Sequence, residues 1–117
     1  MNYTILTNGA DKTIKTIFDS VKKGKDPNGK GIDTWGVTTT DKDEEVLIHT
    51  ADQWAEIGNL HLIPNEDNKS IQIVFRYWSN WTKEHEKGDE ERYILGRFTE
   101  LLLVHFAAQF NNITIDK

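Results

Sequence analysis

Apolar residues recur at three- and four-residue steps through the stretch 89–110, near the end of the chain. This spacing predicts one long helix that buries apolar side chains on more than one face. Its first turn carries Asp89, Glu90 and Glu91, carboxylates that suit the positive end of a helix dipole. We expect the helix to end at Asn111, because asparagine tolerates the left-handed conformation in which many helices stop. The residues of its apolar rows are Ile94, Leu95, Phe98, Leu101, Leu102 and Phe106.

A second helical pattern and several two-residue alternations precede this helix. Ile14, Ile17 and Val21 recur at helical steps. We expect Asp11 to cap this second helix and Gly24 to end it. Alternating or β-branched stretches, separated by turns rich in Gly, Pro, Asn and Asp, predict strands. These strands are expected over 3–7, 34–40, 46–49, 60–63, 70–78 and 113–115, with a single helical turn within 50–56.

The order of these elements, roughly β-α-β-β-β-β-α-β, does not alternate strands and helices as a parallel sheet would require. It predicts an α+β fold: an antiparallel sheet of four to six strands with two main helices packed on one face. The chain, residues 1–117, is long enough to close one hydrophobic core. We therefore expect a single α+β domain.

The composition of the chain limits the cellular location and the kinds of partner that we expect. The chain has no cysteine and a formal net charge of −5, so disulfides and cysteine-based metal sites are excluded and a cytoplasmic location is expected. No signal-peptide pattern opens the sequence, and its most apolar run is too short to cross a bilayer, so we expect no membrane association. The excess of acid disfavours a nucleic-acid surface and favours a basic protein partner.

Aromatic residues cluster where the fifth predicted strand ends. Tyr77 and Trp78 close the strand, and Trp81 lies in the charged segment beyond it, together with Glu84 and Glu86. Tryptophan and tyrosine are common anchors of protein interfaces, and carboxylates suit an interface rim. The leading hypothesis is therefore a non-enzymatic protein-binding module or inhibitor that acts through these residues. The alternative at this site is that the tryptophans belong to the core, and a homodimer formed through the same residues is a further hypothesis.

A different function follows if a pocket lies between the C-terminal helix and the sheet. His105 and Glu100 interrupt the apolar rows of the helix, and His49 lies in a predicted strand. These side chains would let such a pocket bind a small molecule or support an enzyme. The ordinary alternatives are a buried histidine satisfied by a hydrogen bond and a glutamate that faces solvent, Arg97 or Arg76. The four histidines have no metal-binding spacing and no nucleophile motif occurs, so we expect no metal, no cofactor and no catalytic residue.

Overall fold

The computed structural model describes residues 2–51, 54–79 and 89–116, which form six strands, three α-helices and one short 3₁₀ turn. The strands are β1 (Asn2–Leu6), β2 (Trp35–Thr39), β3 (Glu45–His49), β4 (Gly58–Pro64), β5 (Ser70–Tyr77) and β6 (Asn112–Asp116). The helices are α1 (Ala10–Lys23), α2 (Trp54–Ile57) and α3 (Asp89–His105), and the 3₁₀ turn is Ala107–Gln109.

All six strands join one antiparallel sheet in the order β2-β3-β4-β5-β1-β6. The two long helices, α1 and α3, pack on one face of it, so the predicted α+β fold is confirmed. The first strand lies inside the sheet, where Tyr3 is paired with Ile73 of β5 on one side and with Ile115 of β6 on the other. The short C-terminal strand β6 therefore forms one edge of the sheet and pairs with β1, the first element of the chain.

The core forms where alternate residues of the strands face the two helices. In β5, Ile71 and Ile73 are almost completely buried, as the alternation in the sequence predicts. The ring of Phe98 in α3 lies 5.9 Å from the ring of Tyr3 in β1 and 5.9 Å from the ring of Trp35 in β2. Each buried side chain of this size stabilises the fold by roughly 1.5–3 kcal/mol. Phe98 thus joins α3 to both halves of the sheet.

Helix α3 stops at His105, and the predicted end at Asn111 is wrong. The backbone leaves the helix at Phe106 and makes a 3₁₀ turn, which is closed by the N–H of Gln109 donating to the carbonyl oxygen of Phe106 at 2.8 Å. The hydroxyl of Thr7, beside β1, donates to the carbonyl oxygen of Gln109 at 2.9 Å. This contact turns the chain back along β1, and a continued helix would carry β6 away from its pairing partner.

Helix α1 takes its cap from a distant loop, so the predicted cap, Asp11, is wrong. The backbone N–H of Asp11 donates to the side-chain Oδ1 of Asn68 at 2.8 Å, and the N–H of Ala10 donates to the carbonyl oxygen of Asn68 at 2.9 Å. Free N–H groups in the first turn of a helix donate to any nearby oxygen, whether it is local or remote. The predicted end is confirmed, because Gly24 adopts the left-handed conformation with φ of 75°.

Within the described ranges, no helix has both the length and the apolar composition that a membrane span needs.

Gly58 and Gly96 form a matched pair for testing the packing of the sheet. A Cβ added at Gly58 would lie 2.5 Å from the ring of Phe75 and 2.6 Å from the carbonyl oxygen of Arg76, whereas a Cβ at Gly96 in α3 would meet nothing within 4 Å. We expect Gly58→Ala to lower the free energy of unfolding by about 1–3 kcal/mol through overpacking. Gly96→Ala should raise it by roughly 0.5–1 kcal/mol through helix propensity.

Urea denaturation of the two variants beside the wild type measures both effects. Equal effects of the two substitutions would contradict the close approach of β5 to Gly58.

Candidate functional site

A cavity of about 330 Å³ opens between α3 and the β2–β3 end of the sheet. His49 of β3 and Glu100 and His105 of α3, the three residues of the sequence-based pocket hypothesis, all line it. Its other lining residues are Asp33, Thr34, Trp35, Ala51, Tyr93, Arg97, Leu101 and Val104. The wall therefore combines aromatic rings, aliphatic side chains and hydrogen-bonding groups of both kinds.

A buried carboxylate holds His105 at the end of this cavity. Oδ2 of Asp26 accepts a hydrogen bond from Nδ1 of His105 at 2.7 Å, and the two side chains are 2% and 11% exposed. The other oxygen, Oδ1, accepts the backbone N–H groups of Asn28 and Lys30, each at 2.8 Å. The bond from His105, followed by these backbone bonds, lowers the pKa of the Asp26 carboxyl below its ordinary value. The ionised carboxylate fixes the orientation of the imidazole.

The carbonyl oxygen of Thr34 holds the second histidine of the cavity. Nδ1 of His49 donates to this oxygen at 2.9 Å, and the backbone N–H of Thr50 donates to it at 2.8 Å. A carbonyl oxygen only accepts, so Nδ1 of His49 carries the proton. Thr34 itself has φ of 64°, a strained conformation for a β-branched residue, and strain of this kind is found at binding sites.

Aromatic rings and one ion pair form the side of the cavity that belongs to α3. The ring of Tyr93 stacks on Trp54 of α2, with centroids 4.2 Å apart, and lies 6.2 Å from the imidazole of His49. Arg97 donates to Oε2 of Glu100 at 2.9 Å and through Nε to the hydroxyl of Tyr93 at 3.3 Å. These bonds, first the one to Tyr93, raise the pKa of the guanidinium above its usual range. Arg97 and Glu100 thus neutralise one another at the mouth of the cavity.

Of the residues in the protein-binding hypothesis, Trp78 and Tyr77 are partly buried, and Trp81, Glu84 and Glu86 lie outside the described residues. The indole N–H of Trp78 donates to the carbonyl oxygen of Ala55 at 2.8 Å, so this ring helps to fix α2 against the sheet. The hypothesis of a protein partner or a homodimer at these residues stays a prediction.

The other two tryptophans take part in the fold. Trp35 is 9% exposed and belongs to the core cluster, and Trp54 packs against that cluster while it stacks on Tyr93. Three of the four tryptophans of the sequence therefore have defined packing or hydrogen-bonding partners within the described ranges.

The three histidines that the structure describes do not converge on one site. His49 faces α3, whereas His61 faces the opposite side of the sheet, because Leu47 and Leu60 are paired and side chains alternate along β3 and β4. Among the residues that the structure describes, no group of three or more His, Asp and Glu side chains has the arrangement of a metal site. The expectation of no metal and no cofactor stays a prediction.

Sequence reasoning missed three residues of this site: Asp26, Thr34 and Tyr93. It named Arg97 as one partner that Glu100 would face, and the ion pair between them at 2.9 Å confirms this alternative. The spacing of Tyr93, Arg97 and Glu100 predicts that they lie on the same side of the helix, because residues three and four apart are neighbours there. This spacing is the sequence pattern that indicates Tyr93 as part of the site. The bond between Asp26 and His105 joins positions 79 residues apart and left no local signal.

The pH dependence of stability tests the bond between Asp26 and His105. A carboxyl group whose pKa is depressed by folding stabilises the protein above its unfolded pKa, and the contribution disappears as the pH falls through the folded value. The stability advantage of the wild type over Asp26→Asn should therefore be fully present about one unit or more above the ordinary pKa of 3.8 and should shrink as the pH falls through that value and below it. Urea denaturation between about pH 5.5 and 3 measures this difference.

Asp116→Asn is the matched control, since Asp116 is exposed on the edge strand and makes no side-chain hydrogen bond with the described residues. If the difference in free energy of unfolding between the wild type and Asp26→Asn did not change with pH in this range, the ionised carboxylate would not be the group that holds the imidazole.

Comparisons with known proteins give this chain no relative from which a function can be transferred. No protein-family model matches the chain, and neither a curated protein nor a solved structure does. Function is therefore inferred from the chemistry of the side chains alone.

Proposed function

We propose that this protein binds a small, uncharged, ring-bearing polar molecule in the cavity between α3 and the β2–β3 end of the sheet. The observation that carries the proposal is the bond between Asp26 and His105, which fixes an imidazole against a cavity that His49 and Glu100 also line. Binding proteins commonly place a few oriented polar groups in a mostly apolar, aromatic wall. The cavity has this composition.

The size of the cavity limits the ligand. Its volume of about 330 Å³ is near the lower end of the range for small-molecule sites. A monosaccharide or a nucleoside fits this volume, and both are rings that carry hydroxyl groups. Tyr93 is 38% exposed and lines the cavity beside Arg97, whose guanidinium lies 5.3 Å from the centroid of the tyrosine ring, so the exposed part of Tyr93 offers either ligand an aromatic contact.

The charges of the cavity favour an uncharged ligand. Among the described lining residues, Asp33 and Glu100 contribute carboxylates, and the guanidinium of Arg97 already binds Glu100. An anion would meet an excess of negative charge, on a chain whose net charge is −5. Hydroxyl groups, by contrast, both donate to the carboxylates and accept from Arg97, so they suit every polar group of the wall.

Two neighbouring residues of α3 allow the cavity to be blocked without disturbing the core. Val104 lines the cavity and is 53% exposed, whereas Leu103 is 58% exposed and does not line it. We expect nucleosides or monosaccharides at millimolar concentration to raise the melting temperature of the wild type and of Leu103→Trp. The indole of Val104→Trp should fill the cavity mouth and abolish the rise.

Thermal-shift measurements with ribonucleosides and common monosaccharides carry out this test, and the two sets identify which kind of ring is bound. Absence of stabilisation by every compound, or a rise that persists in Val104→Trp, would refute binding in this cavity.

A further inference from the structure

The opposite face of the sheet, on which neither α1 nor α3 packs, carries a second group of polar side chains. Asn59 and His61 are two apart in β4 and therefore point the same way, and Arg76 of β5 is paired directly opposite Asn59. Side chains paired in this way have Cβ atoms about 5 Å apart. All three residues line a cavity of about 400 Å³ that Trp78 also borders.

Asn59 carries an acceptor that the protein does not satisfy. The residue is 3% exposed, and its Oδ1 is buried without a hydrogen-bond partner among the residues that the structure describes. Buried side-chain oxygens of this kind are rare in folded proteins because each one has lost its water without gaining a donor. A molecule that brought an N–H or O–H donor into this cavity would remove that cost.

Arg76 offers the complementary group beside it. Its side chain is exposed, and it makes no ion pair or side-chain hydrogen bond with the described residues. A guanidinium in this state suits a carboxylate, which it can bind through two parallel hydrogen bonds. His61 lies two residues beyond Asn59 in β4, and burial and the nearby charge of Arg76 lower the pKa of its imidazole.

The other charged groups that the described part of the chain contributes to this cavity come from the β2–β3 turn. Asp41 and Glu44 supply carboxylates, and Lys42 supplies an ammonium group. The lining residues that the structure describes therefore carry cations and anions in equal number, two of each with Arg76 included. A balanced arrangement of this kind suits a ligand that itself carries one positive and one negative group.

We propose that this cavity binds a free α-amino acid in its zwitterionic form. The carboxylate binds Arg76, the ammonium group donates to Oδ1 of Asn59 on the strand opposite, and Glu44 balances the ammonium charge. Trp78 provides the apolar border for the amino-acid side chain. This site is separate from the cavity of the proposed function, since it lies on the other face of the sheet.

Simpler ions fit the same groups less well. An inorganic anion would bind Arg76 but has no donor for Oδ1 of Asn59, and it would be repelled by Asp41 and Glu44. A simple amine would satisfy Asn59 and leave Arg76 without an acceptor. Only a ligand that joins both groups within a few ångströms uses both residues, and the α-amino acid backbone has that dimension.

Titration calorimetry of the full chain with each of the twenty free α-amino acids tests the proposal. Two chemically matched sets serve as controls: the N-acetyl derivatives, which lack the ammonium group, and the amino-acid amides, which lack the carboxylate. We expect one or a few free amino acids to bind and both blocked forms of the same compounds to lose roughly tenfold or more in affinity.

Three variants assign that binding to the cavity. Arg76→Gln is an exposed substitution that should fold normally and lower the affinity by roughly tenfold or more. Asn59→Leu should lower the affinity as well, and it should raise the melting temperature, because an apolar side chain replaces an unsatisfied buried oxygen. Arg92→Gln removes an exposed arginine of α3 that lies outside the cavity, and it should bind as the wild type does.

Failure of all twenty amino acids to bind would overturn the proposal, and so would equal affinity of the free and blocked forms. Binding that survives in both Arg76→Gln and Asn59→Leu would overturn the assignment to this cavity. Val104→Trp should leave amino-acid binding unchanged, so the outcome here is independent of the outcome at the other cavity.

Discussion

The contact on which the rest of the structure depends is the packing of Phe98 between Tyr3 and Trp35. These two aromatic residues belong to β1 and β2, which are four positions apart in the strand order, and a flat sheet would separate such strands by about 19 Å. The twist of the sheet and the reach of the two long side chains bring both rings onto Phe98. Helix α3 is thereby fixed across the sheet, and the position of every functional group on this helix follows from that contact.

The cavity beside α3 is a direct consequence of this packing. Trp35 touches Phe98 on one side and His49 on the other, where the ring centroids are 4.9 Å apart. His49 in turn faces Tyr93, which lies more than one helical turn before Phe98 in α3. A continuous series of ring contacts therefore runs from the core to the wall of the cavity. Because cores are closely packed and rigid, a site built on such a series keeps its geometry.

The loop between α1 and β2 has a structural role that its composition conceals. It is rich in glycine and lysine, as solvated loops are, yet Asp26 within it is 6% exposed. This carboxylate organises its own loop through Asn28 and Lys30 and anchors the last turn of α3 through His105. One side chain thus connects the end of α1 to the end of α3, and it orients an imidazole at the cavity at the same time.

The two faces of the sheet carry different chemistry because side chains alternate along each strand. On the face under the helices, apolar residues dominate, and the polar groups of the first cavity lie at the β2–β3 end. On the other face, β4 presents Asn59 and His61, both buried, next to Arg76 of β5. These three polar residues do not add to the apolar packing of a core, so we explain their position by the ligand that they would bind.

The sequence by itself determined the elements, their order and the α+β class, because hydrophobic period, turn residues and the helix-ending Gly24 act locally. It also directed attention to His49, Glu100 and His105, since polar residues within apolar patterns stand out. Only the tertiary structure decided that Asn68 caps α1, that Asp26 holds His105 and that Asn59 lies opposite Arg76. Each of these contacts joins residues far apart in the chain, and hydrogen bonds and charges select partners by distance in space, which a linear pattern does not contain.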